Sequence, residues 1–120
     1  MESRDITAKE ADDLIGKWAS QSLRVCFAVC FGDLAWNSKW IGPIHSGQSA
    51  RWIQTADQTT NVLRTDLYQE IILVEDEDLL GIRFRNPTGF TAANFEVNLF
   101  IHKLGDIDNE AESLLARMIH

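Results

Sequence analysis

The chain is poor in the residues that cross-link, break or anchor a protein, and each shortage excludes something. Two cysteines, Cys26 and Cys30, are all it has. They fall in a stretch of strand-like alternation, where residues four apart lie about 13 Å from each other, far beyond disulfide reach. Free cysteines in that setting read as small core residues of a protein in a reduced compartment. Two prolines and seven glycines leave no room for a low-complexity linker. No apolar run approaches the roughly 20 residues of a spanning helix. The opening Met1, Glu2, Ser3, Arg4, Asp5 has no hydrophobic segment behind it, so neither anchor nor leader is expected and a cytoplasmic location is read. Cations are scarce too: 11 Lys and Arg stand against 18 Asp and Glu, a net charge of −7. That argues against nucleic acid and against an anionic membrane surface.

The signatures of chemistry are also missing. There is no Gly-rich phosphate loop and no cysteine-pair zinc spacing, and the run His45, Ser46, Gly47, Gln48, Ser49 is not a nucleophile elbow. The acids at 75–78 are consecutive, whereas a calcium loop needs ligands at alternating positions around a glycine. His45, His102 and His120 sit in unrelated settings, so no metal site and no cofactor are expected.

What is present describes one globular domain over residues 1–120, long enough to bury a core without staples. The organising stretch is a hairpin over residues 68–86. Ile71, Ile72, Leu73 and Val74 run into the acidic turn, and Leu80, Ile82 and Phe84 then alternate with Gly81, Arg83 and Arg85. A tight turn would set Leu73 beside Leu80, Ile71 beside Ile82 and Glu70 beside Arg83. Thr7 and Glu10 have the spacing of a capping box, after which Ala11, Leu14, Ile15, Trp18 and Ala19 form a helical stripe. Leu23, Val25, Phe27, Val29 and Phe31 alternate with small residues, the pattern of a central strand with a helix close on its small face. Gly42 and Pro43 should bend or end an edge strand that starts near Trp36. Residues 61–67 suit a strand and a helical turn equally. Phe95, Val97, Leu99 and Ile101 line one face of a further strand, with Phe100 on the wetter side, and Asp108 or Asn109 caps a last helix through Ala111, Leu114, Leu115 and Met118. The fold class is α+β: a mainly antiparallel curved sheet of about five or six strands, with an N-terminal and a C-terminal helix packed on it, both on one face.

Three functional readings follow. Trp36, Trp40 and Trp52 crowd into the irregular third of the chain, and clustered aromatics near loops serve interfaces or pockets as well as plugging a sheet end. With Phe100 they exceed what the core needs, so the leading expectation is a non-catalytic binding or adaptor domain, homodimeric, acting through that apolar surface. The alternative is a small-molecule-binding protein or enzyme with a Trp-lined pocket, His45 as acid or base, and Arg83 or Arg85 anchoring an anionic ligand. The third is an acidic inhibitor of a basic partner, working through Asp12, Asp13 and the acids at 75–78.

Overall fold

The computed structural model describes the backbone of residues 1–31, 36–46, 51–54, 60–89 and 95–119, and within these the side chains of all but residues 36, 37, 46 and 51–54. After β1 (Glu2–Asp5), the Thr7 side chain accepts from the Glu10 amide while Glu10 reaches back to the Thr7 amide, so the capping box starts α1 (Ala8–Ser20). Five strands and a 3-10 turn follow: β2 (Arg24–Phe31), β3 (Trp36–Ser46), β4 (Arg51–Gln54), β5 (Thr60–Leu63), the turn Thr65–Leu67, and β6 (Tyr68–Glu75). β7 (Leu79–Pro87), β8 (Phe95–His102) and α2 (Ile107–Ile119) complete the order.

Every strand pair is antiparallel, and the order across the sheet is β1-β6-β7-β8-β2-β3-β4-β5. Six strands from β1 to β3 make the main sheet, and β3 continues past Pro43 to pair with β4 from Ile44 onward. Pro43 has no N–H to give, and it stands where β3 changes partner; the strand is redirected there rather than ended. Residues 64–67 join β5 at one end of the sheet to β6 near the other, a span of at most about 17 Å. The sheet therefore curls around α1, tied by Thr65 Oγ1 donating to Asp12 Oδ1 at 2.6 Å.

The two helices lie on opposite faces of the sheet, not on one. Ala11, Ile15 and Trp18 of α1 pack with Val25, Phe27 and Phe84, whereas Ala111, Leu114 and Met118 of α2 pack with Cys26, Ala28 and Phe100. The small residues of β2 do admit a helix closely, and that helix is α2. Phe100 is fully buried beneath it, so the supposed wetter face of β8 is a second core. Leu114, Leu115 and Met118 are each buried to 3% exposure or less, and each contributes about 1.5–3 kcal/mol relative to an exposed side chain. Asp106, not Asp108 or Asn109, caps α2, its Oδ1 accepting from the Asp108 amide at 2.9 Å.

The β6–β7 register is shifted by two from the tight-turn expectation: Leu73 faces Ile82, Ile71 faces Phe84 and Glu70 faces Arg85. A shift of two keeps every side chain on its face. The longer turn frees Asp76 and Asp78 to hold Arg117 of α2 at 2.6 and 2.8 Å. The Glu77 amide and then Arg117 hold the Asp76 carboxyl below its usual range, and Arg117 does the same for Asp78. Depressed carboxylate pKa values give stability that is complete above the unfolded-state range near pH 4 and is lost as pH falls through the folded values. Melting curves from pH 7 to pH 2 are expected to show an acid limb, shallower in Arg117→Met; an identical limb would remove this staple from the account.

Burial pushes the Cys26 thiol up to about 12 and raises that of Cys30, so both are protonated at neutral pH. Since the thiolate is the reactive form, native protein at pH 8 should take up a thiol reagent at least tenfold more slowly than unfolded protein, which should label two sites. Equal rates would contradict the burial.

Candidate functional site

The sequence-level candidates divide between two places. Arg83 and Arg85 stand on the α2 face of β7, where the register sets Arg85 opposite Glu96 and Arg83 opposite Asn98. Glu96 is buried, and both its carboxylate oxygens accept from Arg83 Nη2, at 3.1 and 3.0 Å. Arg85 lies 3.4 Å from Glu96 and 3.7 Å from Glu70. Two guanidinium groups thus face two carboxylates, so the charge of this sheet face is largely compensated, although Arg83 gives Glu96 only its Nη2. Asn98, fully buried, donates to Glu96 at 3.4 Å, and its Oδ1 has no hydrogen-bond partner.

Trp40, His45, Trp36 and Trp52 belong to the other place, the β3–β5 arm. Trp40 is half-buried on the α1 face, its ring 6.2 Å from that of its register partner Phe27. It closes the core there, the plug expected of an aromatic at a sheet end. Trp36 stands opposite Phe31 in the ladder, and its side chain lies outside the described residues, as does that of Trp52. His45 is exposed, and its imidazole has no hydrogen-bond or ion-pair partner among the described side chains. Acid or base chemistry needs a reacting group and an orienting partner within hydrogen-bond reach. Asp66 is engaged with Arg64 at 2.9 Å, and Asp57 lies outside the described residues.

The arm has an inner and an outer side. Ile44 and Leu63 are buried against the α1 core. Alternation puts His45 and Val62 on the other side, and the register places position 52 between them, in the row His45, Trp52, Val62. Val62 is 59% exposed. β5 is also the last strand of the sheet, and its four residues, Thr60, Asn61, Val62 and Leu63, carry no charge. β1, at the opposite edge, has Glu2, Arg4 and Asp5 among its four, all exposed. No protein family, curated protein or solved structure matches this chain.

Function therefore has to be argued from this asymmetry. Charged residues on an edge strand block pairing with another chain, and an uncharged edge leaves it open. The surrounding composition points the same way: of 18 acids in the chain, one, Asp57, falls within residues 36–63. The tryptophans of this arm are visible in the sequence; its place at the sheet edge is not. The available signal is that acid-poor stretch.

Among the described residues no three His, Cys, Asp or Glu side chains converge as a metal site, and no helix is long and apolar enough to cross a membrane.

Proposed function

We propose that the protein is a non-catalytic binding module that acts as a homodimer, two copies pairing antiparallel along β5 about a two-fold axis. The observation that carries this reading is the contrast between the two sheet edges, one charged on three of four residues and the other on none. An isologous contact needs one patch that is complementary to itself. In a chain of net charge −7 the acid-poor arm is where two copies approach with least repulsion. A few ladder hydrogen bonds contribute only about 0.5–1.5 kcal/mol each, so the exposed Val62 has to supply apolar burial beside them. The inhibitor reading is less favoured because its acids are engaged within the chain: Asp76 and Asp78 with Arg117, Glu75 with Lys103 at 3.0 Å, Asp12 with Thr65.

Sedimentation equilibrium tests the proposal. Wild-type protein should be a dimer in the micromolar range. Val62→Lys, which sets two like charges near the axis, should shift it to monomer with its far-UV circular dichroism unchanged, because Val62 is exposed in the single chain. A wild-type monomer at 100 µM, or a variant that still dimerises fully, would refute it.

A further inference from the structure

Three clefts are described on the surface, and one differs from the others in charge. The cleft at Glu2 and Glu75 and the cleft at His102 and Asp106 are each lined by at least one carboxylate. The third, about 370 Å³, opens between β1 and the last turn of α2 and has no acid in its lining. Met1, Val74, Met118 and Ile119 give it apolar walls, Ser3 is its smallest side chain, and Arg83 and Arg117 supply the polar groups. That combination, mostly apolar with a few placed polar groups, is the usual make-up of a small-molecule site.

The two arginines are not equivalent. Arg117 is engaged through both Nη atoms with Asp76 and Asp78, so it forms a neutral wall. Arg83 gives Glu96 only Nη2, which serves both carboxylate oxygens. Its Nε is buried without a partner, and no described residue accepts from Nη1. The grip of Glu96 fixes the guanidinium plane and leaves a donor available, so an incoming acceptor meets a group that is already oriented. The floor is adaptable. Met118 lies over Gly81, where a Cβ would come within 2.6 Å of its methyl carbon, and a thioether on three rotatable bonds reshapes easily around a guest.

We propose that this cleft binds a small carboxylate with an aliphatic body, the carboxylate accepting from Arg83 Nη1 and the chain lying between Val74, Met118 and Ile119. A phosphate ester is the poorer fit. Its second charge would face Asp76 and Asp78 beyond Arg117, and Arg83 is already half-neutralised by Glu96.

The test titrates the full chain with hexanoate, 1-hexanol and hexylamine while following the methyl resonances of Val74, Met118 and Ile119 by NMR. Hexanoate should shift all three and saturate below about 10 mM, with the alcohol and the amine at least tenfold weaker, the value of about one charge-assisted hydrogen bond. Arg83→Gln should weaken hexanoate by about tenfold. Because that variant also disturbs Glu96, Ser3→Tyr serves as an independent test: it fills the cleft from an exposed edge position and should abolish the shifts while the fold is kept. Equal binding of hexanol, wild-type affinity in Ser3→Tyr, or no shift with hexanoate at 10 mM would each overturn the assignment.

Discussion

Trp18→Ala should lower folding stability by about 3–5 kcal/mol, the largest single effect expected in this chain. Trp18 is 2% exposed and stands on the one face of α1 that the curled sheet surrounds, in the same cluster as Phe27, Phe84 and Leu99. The sheet is tied to α1 at both ends. The Ile6 amide donates to the Ile71 carbonyl at 2.9 Å on the β1 side, and Thr65 holds Asp12 on the β5 side. Walls fixed on both flanks cannot collapse into the space an indole leaves, so the cavity penalty should fall in the upper part of the usual range. Trp40→Ala is the control. Trp40 is half-buried against Phe27, and its loss should cost no more than about half as much. Urea denaturation of both variants checks this, and equal costs would mean that α1 is not the centre of the fold.

The second large effect is expected at a residue with no side chain. At Gly81 an added Cβ would lie 2.6 and 2.8 Å from the Met118 Cε and Sδ, and 2.9 Å from the Cβ of Phe100. Met118 can swing aside. Phe100 cannot, because its Cβ is fixed by the ladder that pairs it with Gly81. Gly81→Ala should therefore cost about 1–3 kcal/mol through overpacking, and Gly81→Val more. Met118→Ala in the same chain should recover part of the loss, giving a coupling of at least about 0.5 kcal/mol. Strict additivity would show that α2 does not seat on β7 as described.

These two residues also show what the sequence makes legible. The α1 stripe with Trp18, its capping box, the alternation of β2 and the apolar run of β6 are local signals, and each became the element expected. Gly81 is different: its role depends on Met118, 37 positions away, and on which face α2 chooses. Period-two patterning shows that β2 has two buried faces but not which helix covers which, and that choice decides whether Phe100 lies in core or in water. Local pattern favours a short acidic turn, since nothing nearby reveals that Asp76 and Asp78 bond to Arg117. β1 gave no signal at all. Its four residues are exposed and hold their place through the backbone ladder to β6, which needs no particular side chain. Of the candidate site residues, Arg83 and Arg85 pair with the buried Glu96, and Trp40 closes the core. The uncharged β5 edge is not legible locally because an edge is a property of sheet order, and strand order is set by contacts far apart in sequence.

The central claim is that the uncharged β5 edge joins two copies while the charged β1 edge stays free. Amide hydrogen exchange at two protein concentrations tests it most directly, since each edge has N–H groups that point away from its own neighbour. From 5 to 500 µM, the outward amides of Thr60–Leu63 should become protected several-fold, as the monomer fraction falls, while those of Glu2–Asp5 exchange at one rate throughout. Exchange at β5 that is fast and independent of concentration would contradict the claim, as would protection that appears at β1 instead.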